Sequence, residues 1–175
     1  MRVLLALTYY RPYTSGLTIY AERLAIGLAA RGHHVTVLTS QYDPSLPRNE
    51  VLNGVNVVRV PVAARVSKGV IMPTFGIEAS RLALNHDVMS LHLPQFDAPG
   101  LATRGWILGK PVVLTYHCDL QLPPGWFNRV VDRVVQFQNE MAGRLATRIV
   151  AYTEDFATHS PYLSRFTSKV TVIPP

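Results

Sequence analysis

The sequence lacks the features of a disulfide-stabilised, membrane-spanning or disordered protein. Its single cysteine, Cys118, excludes a disulfide within the chain and favours a reducing compartment. Its longest apolar runs, such as residues 3–7, are far shorter than the ~20 residues that a membrane-spanning helix needs. Charged residues make up only 16% of the chain and hydrophobic residues 48%, a balance that excludes disorder. No small-residue cleavage site follows the N-terminal apolar run, so we expect a globular protein of the cytoplasm.

The motifs of several common ligand sites are missing as well. No G-x-G-x-x-G or G-K-[ST] follows the first apolar segment, which argues against an ordinary dinucleotide site or a P-loop. CxxC and HExxH do not occur, so no zinc site is predicted. No RNP, zinc-finger or helix-turn-helix pattern is present, and the basic residues are scattered, so we expect no nucleic-acid partner.

The net charge is positive, with 17 Lys and Arg residues against 11 Asp and Glu residues, or +6. This excess favours an anionic partner, either a phosphorylated substrate or an anionic lipid. An ordinary solvated surface would explain it equally well.

What the sequence does contain is a regular alternation of strand-like and helix-like segments. Strands are predicted at residues 3–8, 34–40, 55–60, 87–92, 111–116, 148–152 and 169–173. Helices are predicted at residues 18–31, 75–85, 98–108 and 126–147, and a fifth begins after Thr153, a plausible N-cap. Gly32 stands where a left-handed helix C-cap belongs. Residues 43–53 are predicted to form the longest surface loop.

The fold class follows from the composition of the strands. Runs such as VTVLT and PVVLT are apolar on both faces, which is typical of parallel strands covered by helices on both sides. We predict an α/β, three-layer, doubly wound Rossmann-like domain with a mostly parallel sheet of about seven strands. The final VTVIPP is typical of the end of a domain, so residues 1–175 are expected to form one domain.

Ligands of such sheets bind beyond the carboxyl ends of the strands, where the strand order reverses. Here that point should lie between the first and fourth predicted strands. The candidate segments are residues 9–16, 92–94 and 117–119. Ser15 can cap the first helix, and Gly16 lets an anion approach the backbone N–H groups at the helix start. The alternative is that Gly16 is only a turn glycine.

Five stretches together resemble a known family. The first helix is followed by RGHHVTVLTS; HDVMSLHLP and KPVVLTYHCD are two strands that each end in histidine; and RIVAYTE precedes KVTVIPP. In order and spacing they resemble the N-terminal domain of retaining nucleotide-sugar glycosyltransferases of the GT-B architecture, family 4. The resemblance covers essentially the whole chain.

This resemblance implies a two-domain enzyme in which this half holds the acceptor and a C-terminal domain, absent from the chain, holds most of the nucleotide sugar. It implies that Gly16, with Ser15, meets the donor diphosphate, and that His117 lies at the reaction centre. Possible acceptor or cleft residues are His92, Asp119 and Tyr9. The sugar donor is a substrate, no metal or other cofactor is expected, and the acceptor is a glycan, a lipid-linked sugar or a small molecule.

The remaining candidates have plainer interpretations. His33 and His34 are expected to be solvated or capping, and His86 and His159 to lie on the surface. Cys118 is interpreted as a small buried thiol rather than a nucleophile.

The fourth helix has two interpretations. Its apolar positions 127, 130, 131, 134, 141 and 145 are predicted to face the core. Alternatively, Trp126 and Phe127 beside Arg129 and Arg133 suit peripheral contact with the inner face of a membrane.

Two further functional classes stay open alongside the transferase. One is a stand-alone, non-catalytic module that binds a sugar phosphate or a lipid with the same half-fold. The other is a phosphorylase or an epimerase of related architecture.

Overall fold

The computed structural model describes residues 1–66, 69–95, 97–119 and 124–174, and the side chains of Val66 and Phe127 lie outside the description. Its strands are β1 (Arg2–Ala6), β2 (His34–Gln41), β3 (Asn49–Leu52), β4 (Val55–Pro61), β5 (Ala64–Val66), β6 (Gly69–Ile71), β7 (Val88–Leu93), β8 (Val112–Tyr116), β9 (Arg148–Ala151) and β10 (Val170–Val172). Its helices are α1 (Gly16–Ala30), α2 (Phe75–Asn85), α3 (Ala98–Ile107), α4 (Trp126–Leu145) and α5 (Glu154–His159), followed by a 3₁₀ turn at Leu163–Phe166.

Eight of these strands form one sheet in the order β10-β9-β8-β7-β1-β2-β4-β3. Every pairing in it is parallel except that of β3 with β4. The chain runs from β1 towards β2 and β4 on one side, and then returns through β7 to β10 on the other. The strand order therefore reverses between β1 and β7, as predicted, and this is where the fold can hold a ligand.

Helices cover both faces of the sheet, so the core has two parts. Along β1, Leu4 and Ala6 belong to one apolar cluster, whereas Val3 and Leu5 belong to the other. The first cluster packs under α2, α3 and α4, and the second packs under α1. The predicted three-layer α/β fold is confirmed.

All seven predicted strands are present, and the helices begin and end within two residues of their predicted bounds. The predicted helix caps are also found: the Thr153 side chain accepts a hydrogen bond from the Phe156 N–H, and Gly32 has a φ of 81°.

Two short elements were missed. Residues 49–52 were predicted to be loop but form β3, which turns into β4 through Asn53 and Gly54, both at positive φ. This Asn-Gly pair is a hairpin signal in the sequence, but the partly exposed β3 lacks the apolar run that marks the other strands. The second missed element is the β5–β6 hairpin.

The expectation that His86 lies on the surface is wrong. His86 is buried: its Nδ1 donates to the Leu82 carbonyl at 2.7 Å, and its Nε2 lies 2.9 Å from Thr36 Oγ1. Thr36 belongs to β2, so this histidine joins the end of α2 to the sheet. Burial lowers its pKa and keeps the ring neutral near pH 7. His159, in contrast, is exposed as predicted.

Candidate functional site

Two predicted site histidines meet at the carboxyl edge of the sheet. His92 lies in β7 and is wholly buried, and His117 follows the last residue of β8. His92 Nδ1 and His117 Nε2 are 3.0 Å apart, within hydrogen-bonding distance. Because neighbouring parallel strands end at the same edge, two histidines that are 25 positions apart in the chain become direct partners.

Two tyrosines complete this group of rings. The Tyr152 hydroxyl, one residue beyond β9, is hydrogen-bonded to His117 Nδ1. The Tyr20 ring, on α1, lies 5.9 Å from the His92 ring, 5.4 Å from the His117 ring and 5.1 Å from the Tyr152 ring, measured between centroids. We call Tyr20, His92, His117 and Tyr152 the ring cluster.

Burial decides the charge of the ring cluster. It lowers the pKa of His117 to about 4. Burial, together with the nearby His117, lowers that of His92 to about 3. Burial also raises the pKa of Tyr152, whose hydroxyl therefore keeps its proton. Near pH 7 the cluster is neutral, and each hydrogen bond joins uncharged groups.

Both ring nitrogens of His117 are thus engaged, Nδ1 by Tyr152 and Nε2 by His92. These bonds fix the orientation of the imidazole and couple its tautomer to its neighbours. A ligand hydroxyl that bonds to His117 must therefore replace one of the two partners. On the far side of His92, the buried Nε2 has no hydrogen-bond partner among the described residues.

Sequence reasoning missed the two tyrosines of the ring cluster. Tyr152 could have been found, because it is the last residue of the strand predicted at 148–152, at the edge already assigned to the site. Tyr20 has no such signal, because it lies in the second turn of α1 and only the packing of that helix brings it to His117.

The start of α1 lies at the same edge of the sheet. The Ser15 side chain accepts a hydrogen bond from the Thr18 N–H at 3.2 Å, which confirms that Ser15 is the N-cap. Gly16 is the first helical residue, and a Cβ built on it would meet nothing within 4 Å. No acidic residue occupies the first turn. A side chain at position 16 would therefore reach open space, and no carboxylate of the first turn would compete with an anion there.

Tyr9 and Asp119 have other neighbours. Tyr9 lines an open cavity of about 470 Å³ beside Ser15 and Pro94. Asp119 Oδ1 accepts hydrogen bonds from the Tyr116 hydroxyl at 3.0 Å and from the Ser160 hydroxyl at 2.9 Å. These bonds tie Asp119 to the segment after α5.

The interpretation of Cys118 as a buried thiol is wrong, since the residue is exposed. Strand β8 ends at Tyr116, two residues earlier, so the alternation of buried and exposed faces does not extend to Cys118.

The chain matches the model of a known protein family. Residues 15–175 match the model of the glycosyl transferase 4-like domain, which is most of the chain. The chain belongs to this glycosyltransferase family. An uncharacterized glycosyltransferase of Methanocaldococcus jannaschii is 44% identical over 61 residues, which are 34% of this chain and 15% of that relative.

Solved structures agree on the fold. Sucrose-phosphate synthase from Thermosynechococcus elongatus superposes with a TM-score of 0.67 at 17% identity, and UDP-GlcNAc 2-epimerase from M. jannaschii with 0.57 at 14%. Each match covers 99% of this chain but only 47% and 45% of those proteins. The glycosyltransferase domain described here therefore has the Rossmann-like GT-B fold and spans about half the length of these structures.

No described helix is long and apolar enough to cross a membrane. No three His, Cys, Asp or Glu side chains in the described ranges are grouped as a metal site requires.

Proposed function

We propose that this domain is the acceptor-side half of a glycosyltransferase that moves a sugar, with retention, from a nucleotide sugar to a glycan, lipid-linked or small-molecule acceptor. A second domain would contribute most of the donor site. The observation that carries the proposal is the carboxyl edge of the sheet, where the open start of α1 and the ring cluster lie together in a chain of this family.

The two parts of this edge suit the two charges that develop during transfer. Negative charge grows on the departing diphosphate, and the N–H groups at the start of α1, next to Ser15 and Gly16, would stabilise it. Positive charge grows on the anomeric carbon, next to which His117 would orient a sugar hydroxyl. We propose that this chemistry needs no metal ion or other cofactor.

The hydrogen bonds of His117 indicate how it would engage the sugar. A donor hydroxyl would take the place of one of its two partners, while the other would keep the ring in place. Because the pKa of His117 is lowered to about 4, the ring would contact the sugar as neutral imidazole near pH 7, acting as a hydrogen-bond partner rather than a cation.

The role of Gly16 can be tested by filling the open space in front of it. In the complete enzyme, we expect Gly16→Val to lower kcat/KM for the nucleotide sugar about tenfold, because its side chain would stand between the helix start and the diphosphate. The measurement is steady-state kinetics with varied donor, beside a thermal melt.

The matched control is Gly27→Ala in the middle of the same helix, where a Cβ would meet only the end of the Arg31 side chain, at 3.5 Å. This variant should keep its donor kinetics. If Gly16→Val also keeps them, with an unchanged melt, Gly16 is only a turn glycine.

We also propose that α4 carries the enzyme to an anionic membrane. The predicted core stripe of α4 is confirmed at Leu145, which packs against the first apolar cluster, and Val131 is half-buried. It is wrong at positions 130, 134 and 141, because α4 buries Val135, Asn139 and Ala142 instead. Its outer face exposes a continuous apolar stripe, with relative exposures of 78% for Trp126, 52% for Val130, 42% for Val134, 64% for Phe137 and 38% for Met141. Phe127, whose membrane contact was also predicted, has its side chain outside the described residues.

Charge favours a bilayer as the occupant of this stripe. Helical spacing places the exposed Arg129 and Arg133 along one side of it, and the chain carries a net charge of +6. An apolar helix face bordered by arginines is typical of a helix that lies in the interface of an anionic membrane.

Trp126 provides a direct test, because Trp106 is the only other tryptophan. In a Trp106→Phe background, we expect Trp126 emission to shift to the blue with phosphatidylglycerol vesicles, and less so as salt screens the arginines. Phe137→Glu should weaken binding about tenfold, since it puts a charge in the apolar stripe.

Ile77→Glu, at an exposed apolar position of α2, is the control and should bind like the parent. The membrane proposal fails if no shift occurs, or if Phe137→Glu binds equally well. It also fails if sedimentation shows a dimer that Phe137→Glu dissociates, since the stripe would then bind a second copy.

A further inference from the structure

The cavity that contains Tyr9 has the size of a small-molecule site. Its volume of about 470 Å³ falls within the ~300–1,000 Å³ usual for ligand pockets. Pro94 forms part of its wall and lies two residues beyond His92. The cavity therefore opens at the same edge of the sheet as the ring cluster.

Three tyrosines build one side of this cavity. The Tyr9 and Tyr13 rings are stacked, with centroids 4.7 Å apart, and the Tyr42 ring meets both edge-on at 5.8 Å and 5.7 Å. They come from two loops, after β1 and after β2. The mutual packing holds the rings in place before any ligand arrives, so little conformational entropy is left to lose on binding.

An aromatic wall of this kind suits a ligand that has a flat apolar face. A sugar ring presents a flat face of C–H groups that packs against an aromatic ring, while its hydroxyls point outwards to polar groups. Here Thr8 and the three tyrosines carry such polar groups among the residues that line the cavity.

The charge of Arg65 indicates which kind of sugar the cavity would bind. Arg65 is the only charged side chain among the described residues that line the cavity. Its guanidinium donates a hydrogen bond to the Tyr42 carbonyl, which holds it beside the aromatic wall. A guanidinium has five donor N–H groups, so this bond leaves others to bind a phosphate or carboxylate.

We infer that this cavity is an acceptor subsite for a sugar that carries an anionic group, either a phosphate or a carboxylate. The sugar ring packs against the outer face of the stack that Tyr9 and Tyr13 form, and Arg65 pairs with the anionic group. The inference rests on the proposed transferase function and deepens it by naming the class of acceptor. Neither the donor diphosphate contact at Gly16 nor the ring cluster is needed for this binding.

The test measures acceptor binding without donor or turnover. The 175-residue chain is titrated by NMR with three sets of probes: neutral hexoses, the corresponding hexose 6-phosphates and the corresponding hexuronic acids. We expect at least one anionic probe to bind with a Kd on the order of 1 mM and to shift tyrosine ring signals, and its neutral parent to bind about tenfold more weakly. The two anionic sets show whether the natural group is a phosphate or a carboxylate.

Matched variants separate the stacking from the charge. Tyr13→Phe keeps the ring and should bind like the parent, whereas Tyr13→Ala should weaken binding about tenfold. Arg65→Ala should abolish the preference for anionic probes. Arg81→Ala, which removes an exposed arginine of α2, is the charge control and should change nothing.

Two results would overturn the subsite. One is that no probe of any set binds. The other is that Tyr13→Ala and Arg65→Ala bind as tightly as the parent while their melting curves are unchanged. Because no transfer is measured, either result leaves the transferase proposal standing, and a failure of transfer leaves the binding result intact.

Discussion

Replacing His117 by alanine in the complete two-domain enzyme that we propose should lower kcat/KM by about 100-fold, or ~2.7 kcal/mol of transition-state stabilisation. His117 is held by Tyr152 on one ring nitrogen and by His92 on the other, and this fixes it at the edge where the sugar would react. A polar group already in position pays no reorganisation cost when charge develops beside it.

The measurement is initial-rate kinetics at saturating acceptor with varied nucleotide sugar. Cys118→Ala, at the exposed neighbouring position, is the control and should retain most activity. Thermal melts of both variants separate lost chemistry from lost structure. A loss of only a few-fold in kcat/KM for His117→Ala, in a stable protein, would remove this histidine from the reaction centre.

The second large effect concerns the domain by itself. We expect the 175-residue chain to unfold cooperatively on heating and yet to transfer no sugar. Its sheet is covered by helices on both faces and has an apolar cluster on each side, so we expect it to fold without a partner. Transfer, in contrast, would need a second wall across the carboxyl edge, where His117 is only partly buried and a Cβ on Gly16 would meet nothing within 4 Å.

The loss of transfer in the single domain is expected to be large because donor and acceptor would no longer be held in a reactive orientation. Fixing donor and acceptor in a reactive geometry is worth about 7–11 kcal/mol, and one open domain cannot supply it. The helix start alone contributes ~1 kcal/mol towards an exposed anion. A donor would therefore bind weakly and without a defined pose.

A thermal melt and a transferase assay on the same preparation test this prediction, with the complete enzyme as the positive control. Measurable transfer by the 175 residues alone would contradict it. A broad, non-cooperative melt would contradict the claim that the domain folds independently.

The sequence by itself determined the framework of this protein. The seven main strands are rich in β-branched and apolar residues, and the helices between them start or end at residues such as Ser15, Thr153 and Gly32. These signals are local, because a cap or a buried strand depends on residues a few positions away. Parallel pairing then fixed which edge carries the site, and so His92 and His117 could be chosen as candidates.

Only the tertiary structure decided what surrounds those candidates. The contacts of His117 with Tyr20 and Tyr152, and those of Tyr42 with Tyr9 and Tyr13, join loops and helices that are distant in sequence. No local pattern specifies such contacts, since they depend on how the helices pack against the sheet.

The sequence also could not predict which side of α4 is buried. Its periodicity indicates an apolar stripe, but periodicity alone does not state which stripe faces the core. In the folded domain the small and polar residues Ala142 and Asn139 are buried with Val135, whereas Val130, Val134 and Phe137 face outwards. A Cβ on Gly143 would lie 2.6 Å from the Tyr162 hydroxyl, so the small side of α4 is the one that fits against its neighbours. Close packing leaves the larger apolar side exposed, and only the assembled fold could decide this.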